Sequence, residues 1–109
     1  MYPLPKHPSV LGSLRKALSS GQVYMSDHAL ERVEERLVPF GMGAADVITV
    51  LRRGFHEEEK DEWDGDLQSW AYAIRGKTTD RVELRVPIAI ETDEGGVVVV
   101  SVVNLSLEG

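Results

Sequence analysis

The chain has 109 residues, of which 42% are hydrophobic and 28% are charged, and its formal net charge at pH 7 is −6. This composition is typical of a soluble domain with one core, and the acidic balance argues against binding nucleic acid over the whole surface. The chain has no cysteine, which excludes disulfides and thiolate chemistry, and no apolar run approaches the roughly 20 residues that span a bilayer. The N-terminus lacks the apolar core of a secretory signal, so a cytoplasmic location is expected.

Helical spacing of apolar residues dominates the first half of the chain. Residues 1–8 contain three prolines and predict an extended N-terminal arm without a hydrogen-bonding partner of its own, followed by one domain over residues 9–109. Cap residues and glycine stops predict three helices, over residues 10–20, 27–37 and 44–53. Residues 22–25 are expected to form a short extended bridge between the first two.

After Gly54 the hydrophobic period changes from 3.6 to 2, which predicts strands. Four strands are expected, over residues 55–63, 68–75, 81–91 and 97–105, with turns at 64–66 and 93–96. Pro87 lies in the third strand and is expected at an edge or a bulge. Helices followed by strands predict an α+β fold in which three N-terminal helices pack on a four-stranded, mainly antiparallel sheet.

Acidic residues are concentrated between positions 57 and 66, where seven of the ten residues are Asp or Glu. A run of this kind is usually a solvated strand or loop. Two alternatives are a docking surface for a basic partner and a site for a hard cation. The spacing of the acidic residues lacks the pattern of a calcium-binding loop.

The second predicted helix places a histidine and two arginines one turn apart, at His28, Arg32 and Arg36. Positions i and i+4 share a helix face, so the three side chains form a ridge beside the apolar stripe. Histidine transfers protons near neutral pH, and the arginine fork binds phosphate oxygens. The ridge therefore predicts a site that handles phosphates.

Two sequence motifs carry a resemblance to a known family. They are Ser-x-His-Ala-x-x-Arg-x-x-x-Arg at Ser26, His28, Ala29, Arg32 and Arg36, and Asp-Val-x-x-x-Leu-x-x-Gly from Asp46 to Gly54. Over residues 22–105 the chain resembles small bacterial domains of unknown function that are similar to the RelE superfamily of toxins. Within that superfamily it most resembles the motility quorum-sensing regulator type, an mRNA interferase that a zinc-finger antitoxin inhibits.

The resemblance implies a RelE-like fold and a metal-independent ribonuclease that belongs to a toxin–antitoxin pair. Its partners would be RNA and an antitoxin protein of the zinc-finger or helix-turn-helix type, with no cofactor. Three positions depart from the motility-regulator toxins: Glu57 replaces a lysine, Ala71 replaces a polar residue, and Glu83 replaces a tyrosine. The catalytic set of those toxins therefore does not transfer, and only the cation at Arg85 is retained.

Cleavage of RNA without a metal requires a base, an acid and cations that stabilise the phosphate. We expect His28 to act as base or acid, with Arg32 and Arg85 as the phosphate clamp. The predicted substrate-binding residues are Arg36, Tyr72 and Arg75.

Each of these residues also has a plain structural interpretation. Glutamates near Arg32 and Arg36 offer ordinary helix ion pairs, and the alternation of Trp70, Tyr72 and Ile74 is typical of core residues. The same counting puts Arg75 and Arg85 on the opposite or outer face, which argues against one shared pocket. The alternative function is a non-catalytic protein-binding module that docks a basic partner through the acidic strand.

Overall fold

The computed structural model describes residues 3–91 and 95–107, in which three helices precede a mainly antiparallel sheet. This order confirms the predicted α+β class. The described residues do not include residues 1–2 of the predicted arm or residues 108–109 of the predicted domain. They also leave out residues 92–94, which overlap the predicted turn at 93–96. Among the described helices, none has the length and apolar character needed to cross a bilayer.

The three helices have nearly the predicted bounds: α1 is Val10–Ser20, α2 is Asp27–Arg36 and α3 is Ala44–Arg53. The cap residues explain this agreement. The Ser26 side chain accepts a hydrogen bond from the Ala29 backbone N–H at 3.0 Å and so begins α2. Gly21 ends α1 with φ 72°, a left-handed conformation that favours glycine.

In the described residues the sheet contains seven strands rather than four. They are β1 Val23–Met25, β2 Phe55–His56, β3 Glu62–Asp64, β4 Ser69–Lys77, β5 Glu83–Ile90, β6 Val97–Val99 and β7 Val103–Asn104, of which only β4 and β5 are long. The main order is β1-β6-β5-β4-β2, while β3 pairs with β4 and β7 pairs with β5. The predicted bridge at 22–25 supplies β1, which pairs with β6 in parallel. Hydrophobic periodicity did not indicate it, because a three-residue strand is too short to show a period.

The segment predicted as one polar strand, residues 55–63, is interrupted by a 3₁₀ turn at Glu58–Lys60. A strand would place residues 57, 59 and 61 on the same face. Here the turn leaves Glu59 exposed while the side chains of Glu57 and Asp61 are buried. The prediction of one strand is wrong because these two carboxylates pair with cations inside the fold.

Pro87 lies in the central strand β5, opposite Ala73 of β4, and not at an edge of the sheet. Its carbonyl accepts a hydrogen bond from the Val100 N–H, just where the predicted last strand is interrupted between β6 and β7. The missing N–H of proline therefore faces an irregular segment, where the ladder does not require it.

One core joins the helices to one face of the sheet. Its buried members come from all three helices and from β4, β5 and β6, including Leu14, Val33, Leu51, Ile74, Val86 and Val99. The end of α3 approaches β4 so closely that a Cβ on Gly54 would lie 2.6 Å from the Arg75 carbonyl oxygen. Gly54 therefore does more than end the helix, because it lets α3 pack against the backbone of β4.

The N-terminal arm, residues 3–8, has no regular secondary structure and is not without partners. The Leu4 carbonyl accepts a hydrogen bond from Trp70 Nε1 at 2.6 Å, and the His7 N–H donates to the Tyr72 hydroxyl at 2.7 Å. Both partners belong to β4. The prediction of a partnerless arm is corrected, because prolines remove backbone donors without preventing side chains from binding the remaining carbonyls.

Candidate functional site

The predicted ridge on α2 lies on the surface of the protein. His28 is exposed at the first turn, and Arg32 forms a surface ion pair with Glu35 at 2.6 Å. Arg36 donates to the Val102 carbonyl at 2.6 Å and so ties the helix to the segment between β6 and β7. None of the three lines either of the two surface clefts found among the described residues.

Arg75 and Arg85 do come together, on the face of the sheet opposite the core. They are direct neighbours on β4 and β5, and both bind the Glu57 carboxylate. Arg75 also binds Glu83 at 3.0 Å. We call these four residues, Glu57, Arg75, Glu83 and Arg85, the Glu57 cluster. It contains two of the predicted site residues, but neither His28 nor Arg32.

Electrostatics in the Glu57 cluster favour the charged forms of its members. Hydrogen bonds from Arg85 and then Arg75 hold the pKa of Glu57 below its usual range, although burial acts in the opposite direction. Arg75 likewise lowers the pKa of Glu83, and the two carboxylates raise the pKa of Arg75. At neutral pH the cluster therefore holds two anions and two cations, which neutralise one another.

A second group of ionisable side chains surrounds Asp61, whose side chain is 0% exposed. Its carboxylate accepts hydrogen bonds from His56 Nε2 at 2.8 Å and from the Ala73 N–H at 2.8 Å, and Lys6 Nζ lies 3.2 Å away. We call Lys6, His56 and Asp61 the Asp61 cluster. The His56 ring also contacts the predicted site residue Tyr72 edge-on, with 5.8 Å between ring centroids.

A cleft of 640 Å³, here called the aromatic cleft, opens beside the Asp61 cluster. It lies where the first residues of β4 pair with β3, before β4 joins β5 at Tyr72. Its lining comes from the arm, from the β3–β4 hairpin and from the ends of β5 and β6, and includes Leu4, His7, Trp63, Trp70, Ile90 and Val98. Trp63 and Trp70 contact each other edge-on with centroids 5.8 Å apart. Tyr72 lines the cleft but is buried in the core, which fits its structural interpretation.

The histidine of the arm, His7, is not arranged to act as a base. His7 Nδ1 accepts a hydrogen bond from the Ser9 N–H, so in the neutral ring Nε2 carries the proton and donates to the Ser13 hydroxyl. In this tautomer His7 cannot remove a proton from Ser13. Within residues 3–91 and 95–107, no group of three His, Asp or Glu side chains is arranged to hold a metal ion.

Sequence reasoning missed the two carboxylates that organise these clusters and the involvement of the arm. Glu57 and Asp61 lie within the acidic run that was expected to be solvated. Lys6 looked like part of a free N-terminal arm. Acidic and basic residues that face each other on neighbouring strands could have indicated these ion pairs. Recognising such pairs requires the strand register, which the sequence alone does not provide.

No protein-family model matches the chain, and no curated protein is significantly similar to it.

Proposed function

We propose that this protein is a binding module that docks a basic segment of a partner protein at the β3–β4 hairpin and the aromatic cleft. The observation that carries the proposal is an exposed acidic surface on the same stretch of chain, residues 58–70, that contributes Trp63 and Trp70 to the lining of the aromatic cleft. The exposed carboxylates of this surface are Glu58, Glu59, Glu62 and Asp66.

The distribution of charge supports the proposal. Residues 57–66 include seven acidic residues and Lys60, so this segment accounts for the whole net charge of −6. The remaining acidic and basic residues balance. A localised negative potential steers positively charged partners to one part of the surface.

The cleft adds aromatic side chains that a partner can contact, which charge alone does not provide. Large aromatic side chains beside a polar rim are typical of the parts of interfaces that contribute most to binding energy. Trp63 and Trp70 meet this description, and both belong to the hairpin that carries Glu62. A partner segment with alternating basic and apolar residues would satisfy both the rim and the cleft.

A double charge reversal tests this proposal. Glu59→Lys combined with Glu62→Lys should weaken binding of an octapeptide of alternating Lys and Leu by at least tenfold, measured by tryptophan fluorescence and calorimetry. The matched control is Glu31→Lys with Glu34→Lys, two exposed glutamates on α2. The two reversals make the same change in net charge, so equal affinities would contradict docking at the hairpin.

A second candidate function is the toxin-like ribonuclease that the family resemblance implies. The observation in its favour is the convergence of Arg75 and Arg85 on Glu57, next to Phe55, whose side chain is 55% exposed. A carboxylate can act as a base, two guanidinium groups can clamp a phosphate, and an exposed aromatic ring can stack on a nucleobase. RNA would have to compete with the existing ion pairs for the arginines.

This candidate predicts growth arrest on expression and cleaved RNA in extracts. Arg85→Lys should reduce both effects, whereas Arg53→Lys, at an exposed position on α3, should not. His28→Ala and Arg32→Ala test the predicted helix site in the same assay. If the wild-type protein leaves RNA intact and growth unchanged, the ribonuclease candidate is wrong.

A further inference from the structure

The N-terminal arm contacts the rest of the protein in the manner of a bound peptide. Trp70 Nε1 donates to the Leu4 carbonyl, the Lys6 ammonium lies 4.8 Å from the centroid of the Trp70 ring, and the His7 N–H donates to Tyr72. Each of these contacts pairs one arm residue with a side chain of β4. They hold the arm at three points and leave Leu4 49% exposed.

Prolines suit the arm to this mode of binding. Pro3, Pro5 and Pro8 favour the extended polyproline II conformation, so little conformational entropy is lost when the arm is ordered. Aromatic grooves in other domains recognise proline-rich segments in this conformation. The indole N–H of Trp70 binds the carbonyl immediately before Pro5, where the backbone is extended and its oxygen is accessible.

The Lys6 contact defines the charge that the site occupied by the arm selects. The ammonium lies between the face of Trp70 and the buried carboxylate of Asp61. An aromatic face and a carboxylate together favour a cation over a neutral side chain. If Lys6 leaves, Asp61 keeps its hydrogen bonds from His56 and from the Ala73 N–H. The carboxylate therefore remains satisfied while one lysine replaces another.

Resting on the proposed docking function, we propose that the arm is an internal occupant of a peptide site on β4 beside the aromatic cleft, and that the partner is a proline-rich segment carrying a lysine that replaces the arm there. The partner's lysine takes the position of Lys6 between Trp70 and Asp61. The acidic residues of the hairpin bind further basic residues of the same segment. Because the arm is tethered beside the cleft, it competes at high effective concentration and lowers the apparent affinity for the partner.

The experiment uses the full chain and a peptide that copies the arm, Pro-Leu-Pro-Lys-His-Pro. Lys6→Ala weakens the internal competitor, so it should bind this peptide about five- to tenfold more tightly than the wild type does. Lys16→Ala, an exposed lysine on α1, is the matched control and should bind as the wild type does. A peptide with alanine in place of its lysine should bind Lys6→Ala no more tightly than it binds the wild type.

Trp70→Phe provides a second, independent variant. It keeps an aromatic ring but removes the indole N–H that binds the Leu4 carbonyl. Combined with Lys6→Ala it should abolish the increase in affinity, while a cooperative thermal transition shows that the fold is retained.

Equal affinity of the wild type and Lys6→Ala for the arm peptide would overturn the inference, even if the charge-reversal experiment supports docking at the hairpin. Failure of the proposed function would appear differently. The Lys–Leu octapeptide would then bind with the same affinity whether or not Glu59 and Glu62 are replaced by lysine. A wild-type dimer that Lys6→Ala dissociates, detected by size-exclusion chromatography with light scattering, would show that a second copy's arm occupies the site on β4 and would overturn the assignment to a separate partner.

Discussion

Glu57 and Asp61 lie four residues apart, and both bury their carboxylates, yet the two surroundings differ in kind. Glu57 is bound by two arginines that are fixed on the adjacent central strands β4 and β5. Asp61 is bound by a histidine, by a backbone N–H and by a lysine from the N-terminal arm. One carboxylate thus joins parts of the sheet, and the other joins the sheet to a terminal segment.

The comparison shows that two buried carboxylates with similar ion pairs can join segments that differ in how easily they separate. The strands that carry Arg75 and Arg85 are central to the sheet, so strand pairing fixes the backbone from which both arginines reach Glu57. The arm is held by a few side-chain contacts, so its lysine can leave while the domain stays folded. Local opening of this kind is cheapest where few buried contacts are lost.

The largest expected effect is on the Glu57 cluster. Glu57→Gln removes the charge from a side chain that is 8% exposed and takes the anion away from Arg85, while Arg75 keeps its ion pair with Glu83. Removing one partner of a buried ion pair typically costs several kcal/mol, so the free energy of unfolding should fall by about 3 kcal/mol in urea denaturation. Glu58→Gln, at the exposed next position, should change it by less than about 0.5 kcal/mol. Similar losses in both variants would mean that the Glu57 pairs contribute nothing.

Asp61→Asn should have a smaller effect, about 2 kcal/mol in the same measurement. The amide oxygen can still accept from the Ala73 N–H, but the amide NH₂ faces the donors of His56 and Lys6. Asp66→Asn, in the exposed turn, is the control and should be neutral. A neutral Asp61→Asn would show that this carboxylate is not needed to hold the hairpin.

The dependence of stability on pH tests the ion pairs of the Glu57 cluster. The folded-state pKa values of Glu57 and Glu83 lie below the ordinary value of 4.5. Their contribution is therefore fully present above pH 4.5 and is lost as the pH falls through the lower folded-state values. Glu57→Gln should consequently lose less stability than the wild type between about pH 5 and pH 2 in acid titrations followed by circular dichroism. Parallel titration curves would refute this assignment.

Lys6→Ala should lower the free energy of unfolding by no more than about 1 kcal/mol, because the ammonium is 34% exposed and the contact is partly screened. Hydrogen exchange should become faster in the β3–β4 hairpin but not in β5. A global loss of protection would mean that the arm is an integral part of the fold and not a replaceable segment.

His28→Ala is expected to change stability least, by less than about 0.5 kcal/mol, since the side chain is exposed. Thermal denaturation checks this directly. A large loss would show that the histidine stabilises the start of α2. With stability unchanged, any effect of this substitution on growth or on RNA is attributable to function.

Local signals determined the helical half of the fold. Ser26, Gly21 and Gly54 set the ends of helices through interactions within a few residues, and such interactions are visible in the sequence. The change of period after Gly54 located the sheet for the same reason. The sequence also placed Arg75 and Arg85 on the outer face, because alternation along a strand needs no knowledge of its neighbours.

Only the tertiary structure decided which charges meet. The sequence grouped Glu57 with the solvated acids and separated it from Arg85 by 28 positions, whereas the register of β2, β4 and β5 brings the two within 2.7 Å. In the same way, the packing of the arm across β4 joins Lys6 to Asp61, whereas among the described residues no hydrogen bond or ion pair joins His28 to the Glu57 cluster. Helix caps and strand periods depend on neighbouring residues, but ion pairs and clefts depend on how distant segments pack. That packing is why the candidate site lies at the hairpin and not on the predicted helix.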